Sequence, residues 1–107
     1  MIGRTWLQQG LPITLGHKFA RWASAFYRDL ARIEAMKARV FTAQLGGAVG
    51  SLASLQSQGT AVVHAYSVQL QLSVPNCTWH GERDRIVEVA SVLAIVTGSL
   101  GKMACDW

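Results

Sequence analysis

A chain of 107 residues is one domain at most, and with half its residues hydrophobic it is too apolar to be disordered. Only 15% of the residues are charged, below the roughly 25% usual in a free-standing domain, so more surface is meant to be covered by something else. The net charge of +4 permits an acidic partner without demanding one.

Cys77 and Cys105 stand apart, without a disulfide framework or paired metal-ligand spacing. The N-terminal stretch lacks the charged-then-apolar layout of an export signal, which leads to the expectation of a reducing cytoplasm and free thiols.

In chain order, residues 3–16 are rich in turn formers, and Gly10 and Pro12 argue against a continuous helix through them. Pro12 and Thr14 then set up a helix start between Ile13 and Lys18. From there to about Gln44 the apolar residues recur at three- and four-residue steps, Phe19, Trp22, Ala23, Phe26, Leu30 and Ile33 among them. Arg21, Arg28, Arg32 and Arg39 fall within an arc of about 40° on the opposite side, at 100° per residue. That stripe is read as a solvated face, with Asp29 and Glu34 lying elsewhere; the competing reading is a docking stripe for nucleic acid or an acidic partner.

The glycine-rich run at 45–50 breaks the helix and permits close backbone approach to another segment. No Gly-Lys-Ser/Thr follows, so it is not a phosphate loop. A short helical turn is expected at residues 51–55. Residues 60–72 are ambiguous. Val63, Tyr66 and Leu70 suit a helix face with Thr60 as its cap, while residues 68–74 alternate like a strand. A lone strand has no partner for its backbone, so helix is preferred. Residues 75–81 form the last loop. Cys77 and His80 in it have ligand-like spacing, but two ligands do not make a zinc site.

The last quarter, from Glu82 to the C-terminus, is apolar on nearly every side, as in a helix that other elements surround. Gly98 and Gly101 weaken it by roughly 1 kcal/mol each relative to Ala, and close approach of a neighbouring helix would compensate. The run reads as too short and too interrupted for the roughly 20 apolar residues of a membrane span. It is read as the central helix of a bundle, within an all-α single segment covering residues 1–107.

Four stretches carry a resemblance: GRTWLQQGLPITLG from Gly3, QLGGAVGSLASL from Gln44, PNCTWHGERDR from Pro75 and GSLGKMACD from Gly98. In order and spacing they resemble the fumarase/aspartase superfamily, and within it the 3-carboxy-cis,cis-muconate cycloisomerase branch. Most branches have His where this chain has Trp6, and Trp is what the cycloisomerase branch typically has. Gly81 and Glu82 depart from the usual Thr-Gln, and Ser51 from a usual Thr. The resemblance implies a long-helix bundle, a homotetramer with active sites shared between subunits, and lactonisation of a carboxymuconate in aromatic catabolism. No metal or organic cofactor is implied. The substrate is a small di- or tricarboxylate, with no membrane and no nucleic acid as partner.

Thr5 would contact a substrate carboxylate and Trp6 would wall the pocket, while His80 and Arg83 would line it. The structural alternative for Arg83, Asp84 and Arg85 is that they cap and solvate a helix end. The upstream Thr-Ser signature and the downstream loop with the catalytic serine are missing, so the chain resembles a central-domain fragment, inactive alone and without a catalytic residue of its own. The alternatives are another superfamily lyase, adenylosuccinate lyase-like, or a free-standing helical module that uses the arginine stripe.

Overall fold

The computed structural model describes residues 1–106. It is mostly helical, as the sequence implies. Two short strands lead, β1 (Ile2–Thr5) and β2 (Gln8–Pro12), followed by α1 (Leu15–Val40). A 3-10 segment (Ala53–Gln58), α2 (Gly59–Gln69) and α3 (Asp84–Asp106) complete the chain. The chain divides into two compact units, residues 1–32 with the stretch from Val92 onward, and residues 33–91.

In the first unit, β1 and β2 pair antiparallel, with Thr5 opposite Gln8 and a register irregularity between Ile2 and Arg4. This hairpin is absent from the sequence reading, which has only turns here. Its strands lack β-branched alternation, and its two turn residues are Trp6 and Leu7 rather than the Asn-Gly that marks such turns. Both adopt positive φ, 48° and 62°, the geometry a two-residue turn demands. Thr14 then caps α1, its Oγ1 accepting the His17 N–H at 3.0 Å, as the helix-start signal predicts.

In the second unit α1 ends at Val40, four residues before the expected Gln44. Tertiary pairing ends it. The Ala43 N–H donates to Ser73 O at 2.9 Å and the Ser73 N–H to Phe41 O at 2.8 Å, a parallel bridge centred on Thr42 and Ser73. That contact also resolves the ambiguity at residues 60–74. The helix runs to Gln69, Gln71 turns the chain with φ 56°, and Ser73 finds the backbone partner the sequence reading judged missing. Thr60 is not the cap of α2. The helix begins a residue earlier, at Gly59, after Gln58, with no side-chain capping bond. Gly59 is buried against Leu52, so the start of α2 is set by packing.

The core of the second unit is small: Met36, Ala43 and Val63, with buried Ser67 donating its hydroxyl to Val63 O at 2.7 Å. In α3 only Val92 is buried, while Ile86, Val87, Leu93, Ile95 and Leu100 are all exposed. The elements expected to surround α3 are not supplied by this chain. No atom lies within 4 Å of a side chain placed at Gly98 or Gly101. The helix is also long and apolar enough to cross a membrane by length and composition, which corrects the sequence reading of it as too short.

Candidate functional site

The segment carrying His80 is latched to the glycine-rich run. The Trp79 backbone N–H donates to Gln44 Oε1 at 3.0 Å and its indole Nε1 to Ala43 O at 2.9 Å. Thr78 Oγ1 donates to Gly50 O at 2.9 Å. Gly50 has φ 81°, and a Cβ there would stand 2.8 Å from Thr78 Oγ1 and 3.2 Å from His80 Cε1. Only glycine serves both conditions, the left-handed backbone and the close approach. The partner that the glycine run approaches is the loop with His80.

Arg83 Nη1 donates to His80 O at 2.7 Å, so one arm of its fork is tied to the backbone of the loop it follows. Arg83 O accepts the Val87 N–H at 2.9 Å at the start of α3, and Asp84 supplies the acid its first turn favours. Arg85 lies over the Trp79 ring at 4.8 Å and donates Nε to Arg39 O at 3.0 Å. His80 and Arg83 are both exposed.

Thr5 and Trp6 belong to the first unit, where Thr5 ends β1 and Trp6 stands 93% exposed at the hairpin tip beside fully exposed Leu7. Two bulky residues held at positive φ cost of order 1 kcal/mol or more each, and strain of that kind persists where function requires the residue. Behind the hairpin lies a cleft of about 440 Å³ lined in part by Arg4, Thr5, His17, Lys18, Arg21 and Lys102. Trp22 Nε1 donates to Asp106 Oδ2 at 3.1 Å, while Lys102 pairs with Asp106 Oδ1 and Lys18 donates to Asp106 O. The Lys102 bond first, and then the Trp22 bond, hold the Asp106 carboxyl below its ordinary value.

The arginine stripe is mostly engaged. Arg28 donates to Ser24 Oγ at 2.8 Å, Arg32 pairs with Asp29 at 2.9 Å, and Arg39 Nε donates to Glu88 Oε1 at 2.9 Å. The hydrogen bond to Glu88, with its charge, raises the Arg39 pKa. Asp29 is therefore part of the stripe's wiring, contrary to the sequence reading that set it apart. It is 3% exposed, and its Oδ2 has no partner among the described residues. Among the described residues no group of three or more potential metal ligands forms, and Cys77 is exposed and free.

The lyase family model matches residues 1–107, the whole chain. This chain belongs to that family, within the fumarase/aspartase superfamily. The family member 3-carboxy-cis,cis-muconate cycloisomerase of Acinetobacter baylyi is 76% identical over 107 residues, 100% of this chain and 24% of that enzyme. The Pseudomonas putida enzyme of the same name is 47% identical over 99% of this chain and 25% of its own length. Among solved family structures, that of beta-carboxy-cis,cis-muconate cycloisomerase from Acinetobacter calcoaceticus superposes with a TM-score of 0.95 at 76% identity, covering 100% of this chain and 25% of that one. The chain thus spans about a quarter of the length of the relatives it matches.

The glycine latch, Gln44 and the Lys18–Trp22–Asp106–Lys102 cluster are what residue-by-residue reading misses. The glycine spacing signals a close approach without naming its partner. Nothing local to Lys18 or Asp106 signals a contact across 88 residues.

Proposed function

We propose that this chain is the central helical part of a 3-carboxy-cis,cis-muconate cycloisomerase, working in the cytoplasm in aromatic catabolism. The observation that carries the reading is 76% identity over the whole chain, with Trp6 standing where other branches of the superfamily have His. The reaction is an intramolecular addition. A substrate carboxylate oxygen bonds to one alkene carbon, the neighbouring carbon takes a proton, and a lactone closes without any redox change.

In this reading the Thr5 hydroxyl donates to a substrate carboxylate and Trp6 is a flat apolar wall. The free arm of Arg83 offers a charge-assisted hydrogen bond to a second carboxylate. His80 titrates near neutral pH and supplies a further polar contact. The residue that moves the proton lies on another part of the enzyme. The exposed apolar surface of α3 supports assembly of copies into a homotetramer in which the two units contribute to shared sites. No cofactor is needed, because neither electrons nor groups are transferred to a carrier.

The test is a pair of lactonisation assays followed by absorbance. The isolated chain should give no turnover. Grafted in place of the matching quarter of the Acinetobacter baylyi enzyme, it should support turnover, and Thr5→Ala or Arg83→Ala should lower kcat/KM by 10-fold or more, a charged hydrogen bond being worth roughly 1.5–3 kcal/mol. An inactive but correctly assembled graft would overturn the reading, as would steady turnover by the chain alone.

A further inference from the structure

The cleft behind the hairpin has a charge composition that the proposed roles of Thr5 and Trp6 do not explain. It is lined by Arg4, Lys18, Arg21 and Lys102, with Asp106 its only acid. Asp106 is already engaged by Lys102 and by the Trp22 indole. Lys18 is anchored to the Asp106 carbonyl and stacked 5.3 Å from the Trp22 ring, so its ammonium is held at the cleft wall. The guanidinium groups of Arg4 and Arg21 have no hydrogen-bond or ion-pair partner among the described residues. Of the four arginines in the α1 stripe, Arg21 is the one left without such a partner.

Two further features add to the imbalance. His17 and Lys18 in the cleft belong to the first turns of α1, whose N-terminal dipole is positive, and that turn carries no acid to offset it. Thr5 contributes a hydroxyl to the same wall. A cleft of about 440 Å³ is within the range of small-ligand sites, and two unpaired guanidinium forks match two carboxylates.

We propose that this cleft binds a small polycarboxylate anion, with Arg4 and Arg21 each taking one carboxylate and Lys18 fixing the charge between them. The inference rests on the cycloisomerase reading only for the identity of the natural ligand, a muconate bearing an extra carboxylate. The binding itself follows from the cleft.

The experiment is calorimetric titration of the 107-residue chain with tricarballylate, which has three carboxylates and no alkene, and with acetate, which has one. Tricarballylate should bind, more weakly as salt is raised, and acetate at least 10-fold less tightly. Arg4→Gln and Arg21→Gln should each weaken tricarballylate about 10-fold or more, a charged hydrogen bond being worth at least that. Lys37→Gln removes the same charge outside the cleft and should leave affinity within about twofold, since exposed charges are screened. The Trp22 indole N–H resonance should shift on binding in the parent and not in Arg21→Gln.

No tricarballylate binding, binding matched by acetate, or an equal effect of Lys37→Gln would each overturn the inference. If Arg21→Gln loses its helical signal, Arg21→Lys takes its place, and affinity unchanged in that folded variant together with an unmoved Trp22 resonance would count against the site. The graft assay fails or succeeds independently. Turnover unaffected by Arg21→Gln alongside intact tricarballylate binding would make the cleft an anion site apart from the reaction, leaving the cycloisomerase reading standing.

Discussion

Gly50 sits where three demands meet: a positive φ, a carbonyl held by Thr78, and a neighbouring His80 ring 3.2 Å from where a Cβ would be. Gly50→Ala should therefore cost about 1–3 kcal/mol in a denaturant melt, the range for a residue forced into a disfavoured backbone region. It should also move the His80 ring resonances, and an unmoved His80 would mean the latch does not position it. At the hairpin tip the expected sign is opposite. Replacing Trp6 with Asn and Leu7 with Gly supplies the residues the turn geometry prefers, so stability should rise by about 1 kcal/mol or more. In the grafted enzyme the same double change should reduce turnover, since the wall of the pocket is gone. Asp106 supplies a pH dependence. Its folded pKa lies below the ordinary 3.8, so it stabilises the fold above that value and the contribution is lost as pH falls through the depressed one. Asp106→Asn should flatten the part of the acid limb between about pH 4 and the depressed value, measured by ellipticity against pH.

Among the elements, α1 was the most legible, because a long amphipathic period and the Thr14 cap point to the same start. Its end was not, since Val40 and Phe41 continue the apolar pattern while their backbone is already committed to Ser73. The hairpin was hidden because short strands with a Trp-Leu turn carry none of the usual signals. Of the candidate site, the glycine run announced a close approach, but the lysines and aspartate of the cleft meet only through the fold. The all-round apolarity of α3 was plain in the sequence, and what covers it lies outside this chain. That makes Gly98 and Gly101 informative. Within one chain, Gly98→Leu meets open space and should stabilise α3 by roughly 1 kcal/mol through helix propensity. If copies assemble through these glycines, the same change should overpack the contact, costing about 1–3 kcal/mol of association in sedimentation at micromolar concentration. A variant that is both more helical and equally associated would place the contact elsewhere on the helix.

At the scale of the whole molecule, the low charge and the exposed apolar side chains describe a piece built to be completed, which is consistent with its spanning about a quarter of its relatives. The bridge between Thr42 and Ser73 sets how one part of it must come together. Closing a loop of roughly 30 residues costs about 3 kcal/mol in chain entropy. The bridge's two backbone hydrogen bonds return only about 0.5–1.5 kcal/mol each. They cannot hold the closure alone. The indole and amide bonds of Trp79 to Ala43 and Gln44, with Ala43 wholly buried, must form in the same event. Hydrogen–deuterium exchange should therefore find the Ala43 amide, the Ser73 amide and the Trp79 indole opening at a single rate, as one cooperative clasp, although 36 residues separate the ends of that set.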